Sequence, residues 1–252
     1  MTRALSPPYE TLPGPATARW VITCDHASNR IPEEIGCLGL PETDMGRHIA
    51  YDVGAAGVTR HLAAHLNAPA VLSTYSRLVI DPNRGEDDPT LMMRLYDGSI
   101  IPANRHATEA ERERRLALYH RPYHDTLAQT INATPDAAIV AIHSFTPQLK
   151  GRAPRPWEIS VLFSDTDDRL SRALITALNA EENLCVGVNE PYHGHLPEDA
   201  LHRHGLRTGR LHTLIEIRND LIETAAQQKA WAIRLAPLLE HARAALKEPT
   251  HG

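Results

Sequence analysis

Two short apolar runs that each end on a histidine constrain this chain more than anything else in it. The first is Trp20-Val-Ile-Thr-Cys-Asp-His26, followed by Ala27-Ser28-Asn29; the second is Ala138-Ile-Val-Ala-Ile-His143, followed by Ser144. A short continuous apolar run reads as a strand buried on both faces. Open parallel sheets bind ligands just beyond the carboxyl ends of their strands. Two such ends set two imidazoles on one rim, which is the beginning of a metal site.

The rest of the pattern supplies the sheet and its cover. Further strands are expected over 69–74, 77–81, 158–164 and 212–217, with a short one at 184–188. Helical spacing runs through 44–66, where Met45, Ile49, Val53, Val58, Leu62 and Leu66 recur three to five residues apart, and through 108–132, 167–181 and 220–246. Thr108 is placed to cap the second of these helices, and Asp165 or Thr166 the third. Strands alternating with helices of this length imply an α/β three-layer sandwich around a central, mostly parallel sheet. The connection between 69–74 and 77–81 is too short for a parallel crossover, so the sheet is expected to be mixed. Residues 1–17, rich in proline, read as a loosely ordered leader, and 18–252 as a single α/β domain. The long stretches 82–107 and 145–157 are rich in Pro, Gly, Asn and Arg, and loops of that length often carry function.

Composition narrows the partners. A formal net charge of −5 on 252 residues leaves no basic footprint for nucleic acid. No apolar run reaches the roughly 18 residues that a membrane span needs. With no secretory signal pattern at the N-terminus, a cytoplasmic protein is expected. Three cysteines without a C-x-x-C pair argue against a disulfide framework or zinc ribbon. Self-association is left open.

Four groups of residues bear on chemistry. His26 and His143 read either as metal ligands or as histidines hydrogen-bonded at strand ends. Catalytic zinc usually takes three protein ligands. Asp52 is the preferred third, because a carboxylate inside an otherwise apolar helical face needs a partner; Asn29 is a neutral amide, and Glu33 and Glu34 read as a solvated turn. In Ser76-Arg77-Leu-Val-Ile-Asp81-Pro-Asn83-Arg84 the arginines suit an anionic substrate, since a guanidinium grips a carboxylate bidentately; alternatively they are surface residues flanking a strand, with Asp81 as ion-pair partner. Glu216, in Leu214-Ile-Glu-Ile-Arg218, is either a desolvated general base or one outward position of an edge strand. Tyr192 and His193 lie in a turn-rich loop that can line a pocket, and Ser144 can support the metal. His120 and His124, four apart on a helix, and the run His202-Arg203-His204 resemble metal motifs only superficially.

Taken together, several segments resemble the N-formylglutamate amidohydrolase family, related to zinc carboxypeptidases and aspartoacylase-like hydrolases. They are Asp25-His-Ala-Ser-Asn-Arg-Ile-Pro32, Ile49-Ala-Tyr-Asp-Val-Gly-Ala55, Tyr75-Ser-Arg-Leu-Val-Ile-Asp-Pro-Asn-Arg84, Arg121-Pro-Tyr-His124, Ile142-His-Ser-Phe-Thr-Pro147, Asn189-Glu-Pro-Tyr192 and Ile215-Glu-Ile-Arg-Asn-Asp-Leu221. The resemblance spans about Trp20 to Leu239. It implies a metal-dependent amidohydrolase acting on a small anionic N-acyl amino acid, with N-formyl-L-glutamate as the leading substrate. It implies a divalent metal, zinc foremost, on His26 and His143, and Glu216 as the group that activates water. By the same resemblance Arg77 would stand beside the metal, and Asn83 and Arg84 would hold the substrate carboxylate; Tyr192 and Ser144 are the further candidate substrate contacts. One position departs: the wider relatives carry a zinc-binding Glu three residues after the first His, where this chain has Asn29. The site then takes a substitute such as Asp52, binds a different metal, or binds metal more weakly. Two other readings stand beside this one: an amidase or peptidase acting on a larger, peptidoglycan-like substrate, and a non-catalytic binding protein that lost its metal.

Overall fold

The computed structural model describes residues 6–194 and 196–246. In chain order the strands are β1 (Tyr9–Leu12), β2 (Trp20–Cys24), β3 (Ala70–Ser73), β4 (Leu95–Tyr96), β5 (Ser99–Ile100), β6 (Ala138–Phe145), β7 (Ile159–Leu162), β8 (Val186–Val188) and β9 (His212–Arg218). The α-helices are α1 (Glu42–Met45), α2 (Ala55–Leu66), α3 (Pro102–Arg105), α4 (Glu109–Arg115), α5 (Arg121–Asn132), α6 (Arg169–Asn179), α7 (Ala200–His204) and α8 (Ala225–Ala245). Seven strands form one sheet in the order β1-β3-β2-β6-β9-β7-β8, and β4-β5 is a separate hairpin. The four pairs β3-β2, β2-β6, β6-β9 and β7-β8 are parallel, whereas β1-β3 and β7-β9 are antiparallel. The sheet is thus mixed and mostly parallel, as the pattern of elements implies.

The two faces of the sheet are covered by different helices because side chains alternate along a strand. Trp20, Ile22, Val140, Ile142 and Ile215 join α2, α6 and α8 in one core layer. Val21, Ile139, Ala141 and Leu214 meet Tyr123, Leu127 and Ile131 of α5 in the other. Thr108 caps α4 as expected, accepting from the Glu111 amide. A π-helical turn at Leu116–His120 joins α4 to α5, so 108–132 is one helical passage. Thr224 and Gln227 form a capping box at the start of α8. Among the described residues, no helix is long and apolar enough to cross a membrane.

Four expectations are corrected. The helix expected over 44–66 is broken: α1 ends at Met45 and α2 begins at Ala55. Gly54 between them has φ +80°, outside the right-handed helical region, and a Cβ there would stand 2.2 Å from the Ile222 carbonyl oxygen. Asp52 therefore lies in the turn before α2, not on a helix face. The strand expected over 77–81 is instead a buried turn: the Val79 amide donates to the Ser76 carbonyl, and Leu78, Val79 and Ile80 pack with Leu116 and Tyr119 outside the sheet. Apolar content alone does not separate these two outcomes. Residues 9–12 of the leader form β1, an edge strand paired antiparallel with β3. The helix after β7 starts at Arg169 with Asp168 before it, while Thr166 bonds locally to Ser164.

Candidate metal centre and active-site cavity

β2 and β6 run side by side in parallel, and both open at the same edge of the sheet. His26 follows the end of β2, and His143 lies near the end of β6. Their rings stand edge to face with centroids 4.9 Å apart. Between them comes Asp52, held by its amide, which donates to the His26 carbonyl at 2.9 Å. Asp52 Oδ2 is 2.9 Å from His143 Nδ1 and 3.3 Å from His26 Nδ1. One ligand atom from each of the three lies within 4.8 Å of the others, and all three residues are buried. Ser144 serves this turn: its amide points at Asp52 Oδ2, and its hydroxyl donates to the Val53 carbonyl at 2.8 Å.

Each imidazole is anchored from behind by another carboxylate. His26 Nε2 is 2.7 Å from Asp81 Oδ1, and His143 Nε2 is 3.2 Å from Asp25 Oδ2. Asp25 also accepts from Tyr123 Oη and Thr23 Oγ1. Asp81 takes two bonds from Arg77, Nε at 3.2 Å and Nη2 at 3.0 Å. A carboxylate behind the ring fixes which nitrogen carries hydrogen and which presents its lone pair. Both Nε2 atoms are thereby tied to their own carboxylates, and both Nδ1 atoms face Asp52 Oδ2. Three electron-rich groups converging on one point require a proton or a cation between them. Asp52 Oδ1 has no hydrogen-bond partner, although His48 Nδ1 and Arg77 Nη1 stand 3.4 and 3.5 Å away. Two imidazoles and a carboxylate with one buried oxygen unsatisfied fit a divalent metal such as zinc.

The charges follow from this geometry. Burial alone would lower the basicity of His143, but its bonds to Asp25 and Asp52 outweigh that and raise its pKa well above the usual value. Burial would raise the carboxyls of Asp52 and Asp81, but the surrounding cations hold both well below their usual range, His26 foremost for Asp52 and Arg77 foremost for Asp81. Glu216 behaves oppositely. Parallel pairing of β6 with β9 sets it directly beside His143 in register, so both project from the same face. It is 7% exposed, and its Oε2 has no partner. Burial pushes its carboxyl up to about 8, with the negative charge of Asp52 adding and His143 opposing.

The three candidate ligands and Glu216 open into a cavity of about 420 Å³. His26, Asp52, His143, Ser144, Arg77, Asn83, Arg84, Tyr192 and Glu216 all line it. Asn29 does not: its side chain is exposed and donates to the Met45 carbonyl at 2.8 Å. Arg77 and Asp81 are an ion pair, one of the two alternatives the sequence left open, but a buried one. Arg84 donates through Nε to Thr90 and through Nη1 to the Asn83 carbonyl, leaving Nη2 without a partner among the described residues. Asn83 Oδ1 accepts from the Ala200 amide at 3.3 Å. Tyr192 Oη accepts from Arg155, whose guanidinium stacks on the same ring.

Sequence reasoning overlooked the anchors. Asp25 carried a usable signal, a carboxylate at the end of a buried strand beside a histidine, where acids are rarely buried without a reason. Asp81 was read only as a partner for arginine. His48 and Tyr96, also in the cavity lining, carried no signal in a single sequence.

The chain matches the family described as N-formylglutamate amidohydrolase over residues 18–223. It is similar to the crystal structure of a gene product of Agrobacterium tumefaciens, with 35% identity and a TM-score of 0.88, covering 96% of this chain and 97% of that one. It shares the fold of an N-formylglutamate amidohydrolase from Ralstonia eutropha JMP134, with 22% identity and a TM-score of 0.74, covering 94% and 99% of the two chains. No curated protein matches it.

Proposed function

The chain belongs to the N-formylglutamate amidohydrolase family, and we propose that it is a metal-dependent hydrolase that removes an N-acyl group from a small carboxylate substrate. Within the family, N-formyl-L-glutamate is the reference substrate, giving formate and L-glutamate. The observation that carries the reading is the convergence of His26 Nδ1 and His143 Nδ1 on Asp52, with each Nε2 tied to its own carboxylate.

His26, His143 and Asp52 would hold the metal, which supplies Lewis acidity toward the scissile carbonyl. The chain's own residues do the rest. Glu216 accepts a proton from the attacking water and returns it to the leaving nitrogen. A carboxyl raised to about 8 by burial is basic enough for this, and a cation beside it favours its ionised form. Arg77 brings the Nη1 end of its guanidinium, the part not bound to Asp81, to the oxygen that becomes negative. Asn83 and the unpartnered Nη2 of Arg84 hold the substrate carboxylate, and Tyr192 closes the opposite side.

Glu216→Gln keeps the shape of the side chain but cannot take up a proton. Turnover of N-formyl amino acids is expected to fall about 10²–10⁴-fold, with metal content unchanged. Near-normal turnover would remove Glu216 from the mechanism. Hydrolysis that survives complete removal of metal would remove the metal.

A further inference from the structure

The segment 145–157, long and rich in Pro, Gly and Arg for a plain connector, has no part in the chemistry above. It brings Arg155 back to the end of β6. The Arg155 amide donates to the Pro147 carbonyl at 2.8 Å, and Nη1 donates to the carbonyl and hydroxyl oxygens of Thr146 at 3.0 and 3.1 Å. The guanidinium also lies over the ring of Phe145, 5.8 Å from its centroid. Phe145 is fully buried and ends β6 two residues after His143, so the two side chains share a face of the sheet. Arg155 is thereby fixed to the strand that carries one of the candidate metal ligands.

On its other side Arg155 meets Tyr192. The guanidinium stands 5.2 Å from the centroid of that ring, and Nη2 donates to Tyr192 Oη at 3.3 Å. Tyr192 lines the cavity together with Glu216, whereas Arg155 is not among the described residues that line it. A guanidinium has donors and no acceptor. The bond with Arg155 therefore uses a lone pair of Tyr192 Oη and leaves the phenolic hydrogen free, with no acceptor for it among the described residues. Burial raises the Tyr192 phenol above its usual range, Arg155 opposing, so that hydrogen is kept at neutral pH. The charge of Arg155 also favours the ionised form of Glu216, which gives a rival account of what this arginine does.

We infer that Arg155 is a positioning residue: by tying Tyr192 to the end of β6, it presents the phenolic hydrogen as a donor to an oxygen of the bound substrate. This rests on the amidohydrolase reading and adds to it a residue that does not itself touch the substrate.

The test is a double-mutant cycle on hydrolysis of N-formyl-L-glutamate by the zinc-loaded enzyme. Arg155→Gln and Tyr192→Phe are each expected to raise KM about tenfold, as the loss of one hydrogen bond does, with kcat changed less than about twofold. The two changes together should cost no more than either alone, since each removes the same contact. Calorimetry of the same compound on zinc-loaded Glu216→Gln, with and without each change, should show the same weakening of binding in the absence of turnover. Arg155→Lys keeps a charge and a donor for Tyr192 Oη and should recover most of the affinity; it also carries the test if Arg155→Gln does not fold. Additive effects in the cycle overturn the inference, because Arg155 then acts on the fold independently of Tyr192. A fall in kcat with KM unchanged also overturns it, because Arg155 then acts through the charge of Glu216. Either result leaves the amidohydrolase reading intact. If the wild type neither binds nor hydrolyses N-formyl amino acids, the reading and the inference fall together.

Discussion

Two groups of buried and half-buried histidines lie on either side of the segment 81–84, and they differ in the partners around their rings. His26 and His143 stand at strand ends, and each is bracketed by two carboxylates. His120, His124 and His204 stand on the helical layer and bracket one another: His124 Nδ1 is 3.0 Å from His204 Nε2, and the ring of His124 is 4.5 Å from that of His120. In place of an acid, His120 Nε2 meets the Arg84 carbonyl at 3.0 Å. The consequences are opposite. The carboxylates raise the pKa of His143 well above its usual value. In the helical group, burial lowers all three, His204 to about 4, helped by the charge of Arg203. Histidine density therefore does not make a metal site. The carboxylates around the rings make a group that could hold a metal ion, and the helical group remains a set of neutral side chains that steady the loop carrying Asn83 and Arg84.

The sharpest way to break this contrast is to remove the shared carboxylate. Asp52→Asn should weaken zinc binding by more than about 100-fold, beyond what outer partners contribute, while His124→Gln should keep its metal. Metal analysis after dialysis against a weak chelator reads both. Equal retention in the two variants would dissolve the distinction. The anchoring carboxylates come next. Asp25→Asn or Asp81→Asn should cost about 10–100-fold in zinc affinity, measured by competition with a chromophoric chelator. An unchanged affinity would mean that the rings are oriented by packing alone.

His143 and the helical group should also answer pH with opposite sign. A histidine whose folded-state pKa is depressed adds stability above its unfolded value, near 6.5, and that stability drains as pH falls toward the folded value. For His204, with a folded value of about 4, acidification from pH 7 to 4 should remove about 1–3 kcal/mol. His143, with a raised pKa, contributes stability below its unfolded value that is lost only as pH rises through the raised one. Urea unfolding of the metal-free protein between pH 4.5 and 7.5 should therefore show a flatter acid limb for His204→Gln than for the wild type. Matching limbs would remove His204 as a source of acid sensitivity. The smallest effect expected is that of Arg84→Lys, which keeps charge but loses the planar fork. KM for an N-acyl amino acid should rise about three- to tenfold with kcat nearly unchanged, and an amide-capped analogue should be almost indifferent to the change. Equal effects on both substrates would place Arg84 in the fold alone.

How much was legible depended on whether a neighbour in sequence was also a neighbour in space. The runs ending on His26 and His143 showed as strands, and the rule for parallel sheets brought their ends together, because apolar continuity and strand-end binding are local properties. Glu216 was conspicuous for a similar reason, an acid inside an apolar run. The turn at 77–81 was misread because Leu78, Val79 and Ile80 are as apolar as any strand, and their burial against Leu116 and Tyr119 comes from a distant helix. The place of Asp52 was misread because the helical spacing of 44–66 hides one backbone fact: Gly54 turns left-handed at φ +80°.

The sequence by itself determined the alternation of elements, the two histidine-bearing strand ends, and the family to which the chain belongs. Each rests on composition and spacing along the chain, which folding does not alter. Only the tertiary structure decided which carboxylates stand behind which imidazole, that Asn29 turns away while Asp52 turns in, and that Glu216 stands in register beside His143. It also decided that Leu162 and Leu214, paired across β7 and β9, line the same cavity. These are pairings between residues far apart in sequence: His143 and Asp25, for example, are 118 positions apart. Electrostatic interaction depends on distance in space, so a lone chain of letters cannot set whether a buried group is charged, neutral or ready for a metal.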